Sequence, residues 1–218
     1  SDTEVIVHAW ESWGKDCVKR FRGMFAFALW DRNRQTFFMA RDRLAVKPLF
    51  YAALDDGHLL FGSELKSILA HGGLRRDLDP LAVEEYFALG YVAEPRTVFS
   101  QANKLPPAHT LTWRRGDAKP VLEEYWDVHF NATSTLDDTQ ACEELNRRLQ
   151  ESGRLRMIAE VPLGAFLSGG VDSGAVVATM AGLQSAPVNT CSIGFDVPEF
   201  NESAFAQTVA ERYKTNHH

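Results

Sequence analysis

Apolar positions between residues 24 and 63 fall into four short runs, Phe25-Ala26-Phe27-Ala28-Leu29-Trp30, Thr36 to Ala40, Pro48 to Leu54 and Leu59 to Gly62. Runs of this length, rich in aromatic and aliphatic residues, predict strands. Asp31-Arg32-Asn33-Arg34 and Asp55-Asp56-Gly57 lie between them and tolerate the backbone angles of tight turns, so the first three runs are compatible with a meander. In the first run Phe25, Phe27 and Leu29 face one way and Ala26, Ala28 and Trp30 the other. Both sets are apolar, which predicts a sheet covered on both faces. A helix is expected from Asp2 to about Lys19. A second follows Asp79-Pro80, with Val83, Tyr86 and Phe87 in its body and Gly90 as its stop.

The pattern changes between Asp127 and Thr139, where Asn131, Thr133, Ser134, Thr135, Asp137 and Asp138 read as a linker. The boundary is placed there, dividing the chain into residues 1–130 and 131–218. Beyond it come a helix with Ala141, Leu145 and Leu149 on one face, a strand from Leu163 to Leu167, and a glycine-rich turn. A helix with Val176, Met180 and Leu183 spaced toward a core is next, then an apolar run from Val188 to Phe195 and a helix from about Asn201. Strands alternating with helices in this way predict a parallel α/β sheet.

Composition narrows the partners. The 218 residues are 45% hydrophobic and 24% charged, enough for one large or two modest globular domains. With 23 basic and 29 acidic residues the formal charge is −6, so the balance offers no basic face for a phosphate backbone and nucleic acid is not expected. Apolar stretches such as Gly23 to Trp30 fall short of the roughly 20 residues that cross a bilayer, and no leader is expected. The three cysteines, Cys17, Cys142 and Cys191, are far apart and odd in number, which suits a reducing cytoplasm rather than a disulfide framework or zinc site. The start at Ser1 without methionine and the stop at His217-His218, after a helix, read as a chain cut at both ends.

The sharpest chemical signal is Leu167-Ser168-Gly169-Gly170-Val171-Asp172-Ser173, between a strand and a helix. Glycines let backbone N–H groups approach an anion, hydroxyls add donors, and the helix N-terminus presents unsatisfied amides to the same anion. The string is neither a Walker loop, lacking its lysine, nor the Gly-x-Gly-x-x-Gly fingerprint. Asp172 has the hard carboxylate oxygens that hold Mg²⁺ against a polyphosphate. The plain alternative is a tight turn in which Asp172 or Ser173 caps the helix. The whole string resembles the pyrophosphate loop of ATP pyrophosphatases.

Further blocks extend the likeness. Gly23-Met24-Phe25-Ala26-Phe27-Ala28-Leu29-Trp30-Asp31, Ala40-Arg41-Asp42-Arg43-Leu44, Lys47-Pro48-Leu49-Phe50-Tyr51 and Ser63-Glu64-Leu65-Lys66 resemble the glutamine amidotransferase domain of glutamine-hydrolysing asparagine synthetases. Lys104-Leu105-Pro106-Pro107, Tyr125-Trp126 and Val161-Pro162-Leu163-Gly164 resemble the passage into the synthetase domain. The resemblance implies a partial α/β/β/α N-terminal nucleophile hydrolase sandwich over residues 1–130 and a partial Rossmann-like ATP pyrophosphatase domain over 131–218. It implies a parent ligase using ATP and Mg²⁺ to adenylate aspartate. Ammonia from glutamine then displaces AMP from β-aspartyl-AMP, and pyrophosphate is the other product.

On this carry-over Ser168, Gly169, Gly170, Asp172 and Ser173 bind pyrophosphate, Leu167 and Ile193 contact adenosine, and Asp2 binds the amino group of glutamine. No catalytic residue is expected here, because the family's N-terminal cysteine lies upstream of residue 1, so this chain alone should not hydrolyse glutamine. Ser1 is not expected to replace it, and Cys17 matches no family site and is expected to be structural. Arg41 and Asp42 read as a structural ion pair at a strand end ahead of a functional pair; Glu64 and Lys66 stay open between the two roles, and His217 and His218 are read as structural. Ala45 and Ala108 stand where the family usually has glycine, so a positive φ there strains the turn. A sibling amidotransferase of surface polysaccharide biosynthesis, a β-lactam synthetase-like enzyme and a noncatalytic scaffold remain alternatives. Oligomeric state, including a homodimer of the full-length enzyme, is not readable from these residues.

Overall fold

A computed structural model describes residues 2–131 and 134–218, the side chain of Asp2 excepted. It is a mixed α/β protein that divides into two compact units, residues 1–130 and 131–218. Among the described residues no helix is long and apolar enough to cross a membrane.

The first unit opens with α1, Asp2–Trp13. The helix expected to reach Lys19 changes character at Gly14, whose φ of +57° leaves the α region; the chain continues as a 3₁₀ segment, Gly14–Arg20, that still buries Cys17 and Val18. Strands β1, Ala26–Asp31, and β2, Thr36–Arg41, form a hairpin with Leu29 opposite Phe38. The Asp31 carboxyl fixes its turn by accepting from the N–H groups of Asn33 and Arg34 at 2.9 Å each. The third run does not continue a meander. Strand β3, Phe50–Ala53, pairs instead with β4, Leu59–Gly62, and with β5, Asn103–Lys104, in a separate antiparallel sheet. The free edge of β2 is taken by β6, His109–Arg114, which pairs with β7, Val121–Glu124. Residues 43–48 turn the chain away through the hydrogen bonds of Arg41 and Asp42 described below.

Burial follows this partition. Phe38 and Ala40 pack with Trp10, Cys17 and Val18 on one face of β2, while Met39 packs with Leu49, Leu105 and Leu111 on the other. A buried Phe contributes about 2–3 kcal/mol by leaving water. A third cluster, Ala52, Leu54, Ile68, Leu74 and Ala102, joins the second sheet to α2, Leu65–Leu69. Cover on both faces holds for β2 but not throughout β1, where Trp30 is 50% exposed. Helix α3, Pro80–Leu89, is capped as its sequence predicts: Asp79 accepts from the Leu81 N–H at 2.9 Å, and Gly90 ends it at φ +80°.

The second unit contains α4, Asp138–Arg156; β8, Gly164–Phe166; α5, Val171–Leu183; β9, Asn189–Cys191; α6, Ser203–Tyr213; and β10, Asn216–His217. The strands form a parallel sheet in the order β10-β9-β8, with Ala165 opposite Thr190 and His217 opposite Thr190 from the other side. A capping box of Asp137 and Gln140 starts α4. Its expected apolar face is not a buried one, since Leu145 is 66% exposed. Close approach is made further along, where Gly153 lies against Thr179 and Leu183. On α5 the deepest residue is Val177, which packs with Leu167, Ala206 and Ala210, whereas Val176 is exposed.

Candidate functional site

The glycine-rich loop is set by what lies behind it. Leu167 is buried directly after β8, donating its N–H to the Cys191 carbonyl at 2.9 Å and accepting at its own carbonyl from the Ser192 hydroxyl. Gly169 then has φ +81°, and a Cβ there would lie 2.4 Å from that of Phe205 and 2.6 Å from the Ala206 nitrogen. Glycine is therefore required twice over, by the backbone angle and by the close approach of α6.

Gly170 is the N-cap of α5 with φ −70° and ψ 164°, and no side chain caps the helix. The first intrahelical bond runs from the Gly174 N–H to the Gly170 carbonyl at 2.9 Å, so the amides of the first turn have no partner within the helix. This corrects the capping role allowed to Asp172 or Ser173. The Ser173 hydroxyl donates to the Gly170 carbonyl, accepts from the Ser168 N–H at 3.3 Å and lies 2.9 Å from the Ser168 hydroxyl. Asp172 is exposed on the same turn.

A cavity of about 270 Å³ opens at the carboxyl ends of β8 and β9, lined in part by Leu167, Ser168, Ser192, Ile193 and Phe200. Leu167, Ser168 and Ile193 are thus brought together, with Gly169, Gly170, Asp172 and Ser173 continuing into the first turn of α5. Carboxyl ends of parallel strands are where open α/β sheets hold ligands. An apolar cavity of about 450 Å³ lies between α4, α5 and β8, with Leu149, Val176 and Met180 on its walls and Ser173 at its margin. Sequence reasoning did not single out Ser192 or Thr190. Their signal was a pair of hydroxyl residues two apart, which a strand places on one face, in the run from Val188 to Phe195. Among the described residues no group of three or more His, Cys, Asp or Glu could hold a metal by itself.

In the first unit a cavity of about 970 Å³ is lined by residues of α1, including Thr3 and Ile6, and by Arg20, Arg22, Lys47 and Ser63. Ser1 and the Asp2 side chain lie outside the described residues, so neither is placed against it. Arg41 and Asp42 do not pair with each other, which corrects the ion-pair reading. Buried Arg41 pairs with Glu94 at 3.0 Å and donates to the carbonyls of Lys47 at 2.8 Å and Leu105 at 2.6 Å. The buried Asp42 carboxyl accepts from the N–H groups of Phe25 at 3.3 Å, Leu44 at 3.2 Å, Val46 at 3.0 Å and Lys47 at 2.9 Å. Adjacent side chains thus point to different tasks: each fastens the 43–48 loop separately.

Glu64 and Lys66 form an exposed ion pair at 2.6 Å. Cys17 is fully buried, and burial pushes its thiol up to about 11, which keeps it protonated and unreactive at neutral pH. Ala45 and Ala108 both have positive φ, +53° and +55°.

The chain matches the family model described as a glutamine amidotransferase domain over residues 1–126 and that described as asparagine synthase over residues 144–218. It is 37% identical over 234 residues to glutamine-hydrolysing asparagine synthetase 3 of Bacillus subtilis, covering 100% of this chain and 37% of that protein. A putative glutamine-hydrolysing asparagine synthetase 2 of Methanocaldococcus jannaschii is 36% identical over 221 residues, covering 100% of this chain and 42% of that protein. Amidase chyE of Penicillium rubens is 34% identical over 190 residues, covering 84% of this chain and 27% of that protein. The chain spans less than half the length of each of these relatives.

Proposed function

The chain belongs to the family in which a glutamine amidotransferase domain is followed by asparagine synthase sequence, and from that premise we propose that the loop from Ser168 to Ser173 grips the pyrophosphate of ATP while a substrate carboxylate is adenylated. The observation that carries this reading is the first turn of α5, which has no side-chain cap and follows a glycine that α6 leaves no room to replace. Its amides are donors suited to an anion, and the hydroxyls of Ser168 and Ser173 lie beside them, bonded to each other. Charge that accumulates as pyrophosphate departs would meet dipoles already fixed in place, which is where electrostatic catalysis gains most. Leu167 and Ile193 offer apolar surface for adenosine.

Asp172, an exposed hard carboxylate on the loop's own helix turn, is the residue that would hold Mg²⁺ here. When bound it supplies positive charge against the phosphates. The reaction follows from leaving-group chemistry. A carboxylate oxygen attacks the α-phosphorus, pyrophosphate leaves, and ammonia then displaces AMP from the acyl carbon to form an amide. Ammonia is assigned to glutamine hydrolysis by the first domain, with Asp2 holding the glutamine amino group. Aspartate is the proposed acceptor, and a cytoplasmic setting is part of the reading, supported by three free cysteines.

The finer fold belongs to the same proposal. An α/β/β/α sandwich for the first unit is supported by three apolar clusters that join α1 to the first sheet, one sheet to the other, and the second sheet to α2. A Rossmann-like ATP pyrophosphatase domain is supported by the parallel strands of the second. A sibling amidotransferase or β-lactam synthetase-like enzyme with a different acceptor carboxylate is the second reading, favoured by the likeness to a relative not named an asparagine synthetase, amidase chyE.

The test is product analysis with the full-length protein, ATP, Mg²⁺, glutamine and a panel of carboxylates including aspartate. AMP and pyrophosphate are expected in equal amounts, and Asp172→Ala should slow their formation by about 100-fold. Formation of ADP, or unchanged turnover in the variant, overturns the mechanism. A carboxylate preferred over aspartate selects the second reading.

A further inference from the structure

We infer that His217 is a positioning residue for the glycine-rich loop, acting through Ser192 on the Leu167 carbonyl. The inference rests on the reading of that loop as the nucleotide site and adds a device that holds it. Four side chains on or beside β9 and β10 form one connected line of hydrogen bonds that ends on the residue after β8. The Thr190 hydroxyl, on β9 and 1% exposed, lies 2.8 Å from the Thr215 hydroxyl and 2.9 Å from His217 Nδ1. On the other side of the ring, His217 Nε2 lies 3.4 Å from the Ser192 hydroxyl. That hydroxyl donates to the carbonyl of Leu167, the residue immediately before Ser168.

The direction of the line follows from its end. A carbonyl only accepts, so the single Ser192 proton is committed to Leu167, and Ser192 must itself accept from His217. The ring therefore carries its proton on Nε2 in the neutral form, leaving Nδ1 to accept from Thr190, which in turn accepts from Thr215. Every proton in the line then has an acceptor. The backbone supports it from both sides: the Ser192 N–H donates to the His218 carbonyl at 2.9 Å, and the Leu167 N–H to the Cys191 carbonyl at 2.9 Å. Leu167 is thereby held at both its N–H and its carbonyl, which fixes where the chain leaves β8 and enters the turn at Gly169. A site that must present backbone amides to an anion without reorganising needs that departure point fixed.

The two half-sized replacements of histidine separate this role from a merely structural one. The side-chain nitrogen of Gln reaches the position of Nε2 and keeps the donation to Ser192, whereas Asn places an acceptor near Nδ1 and keeps only the bond from Thr190. In the full-length protein, His217→Ala and His217→Asn should raise the KM for ATP about three- to tenfold with kcat within about twofold, and His217→Gln should restore it. Ser192→Ala should match His217→Ala, and the double variant should be no worse than either single, as expected of two residues in one line. Ser192→Ala carries the same readouts if His217→Ala does not fold.

Amide hydrogen exchange over residues 166–170, measured without nucleotide, should speed up in the Ala and Asn variants and not in Gln. Rescue by Asn equal to that by Gln, or wild-type exchange in both Ala variants, overturns the inference. Failure of the wild-type protein to bind ATP sinks the nucleotide reading instead, and the exchange measurement still decides the role of His217.

Discussion

Gly169 and Phe205 approach so closely that a methyl group on the glycine would sit 2.4 Å from the Cβ of the phenylalanine. The neighbouring Gly170 meets only the Ser168 hydroxyl, at 3.4 Å, and has an extended backbone open to any residue. Gly169→Ala should therefore cost about 3 kcal/mol, combining a left-handed backbone with overpacking against α6, while Gly170→Ala should cost about 1 kcal/mol or less. Urea denaturation midpoints of the two variants test this. Equal midpoints would show that α6 yields where packing says it cannot.

Ala45 and Ala108 hold left-handed angles that glycine adopts at no steric cost. Ala45→Gly and Ala108→Gly should each stabilise the protein by about 0.5–1 kcal/mol, the relieved strain exceeding the greater entropy of the unfolded glycine. Rising denaturation midpoints in both single variants, additive in the double, are the expected result.

Cys17 is buried with its thiol raised to about 11, whereas Cys142 and Cys191 are exposed. A thiol reagent at pH 8 should label two cysteines in the native protein and all three in denaturant. Rapid native labelling of Cys17, identified by peptide mapping, would falsify its assignment as a core residue.

On α4, hydrogen bonds from Arg147 and Arg148 hold the Glu144 carboxyl down at about 2, from an ordinary 4.5. A folded-state value below the unfolded one means that this trio stabilises the helix above pH 4.5 and that the contribution fades as pH falls toward 2. Glu144→Gln should remove that part of the acid sensitivity, seen as a smaller change of thermal midpoint across this window than in the unsubstituted protein. Both arginines are exposed, so raised salt should shrink the difference.

Signals that act over a few residues were legible before any coordinates. The Asp79-Pro80 start and Gly90 stop of α3 follow from capping, and the positive angles of Ala45 and Ala108 follow from the glycine expected there. The loop between β8 and α5 was legible as a strand-to-helix turn for the same reason. What required the structure was long-range. Nothing near β2 states that its free edge belongs to β6, some seventy residues on, so β3 could not be assigned to the other sheet. The expected apolar face of α4 overstated its burial, because periodicity reports a side and not what covers it. Arg41 and Asp42 are adjacent in sequence, yet their side chains answer to different carbonyls and amides. Thr190, Ser192 and His217 meet only once β9 and β10 lie side by side.

Three of the four amides that converge on Asp42, those of Leu44, Val46 and Lys47, also bear on how this surface can change. Because one carboxyl group reads the main chain from Leu44 to Lys47 and ignores what those residues carry, the path of the segment is independent of their side chains. Substitution of Lys47, which lines the adjoining cavity, can therefore alter the chemistry offered there while leaving its outline in place, provided the aspartate beneath it stays and the replacement tolerates its backbone angle.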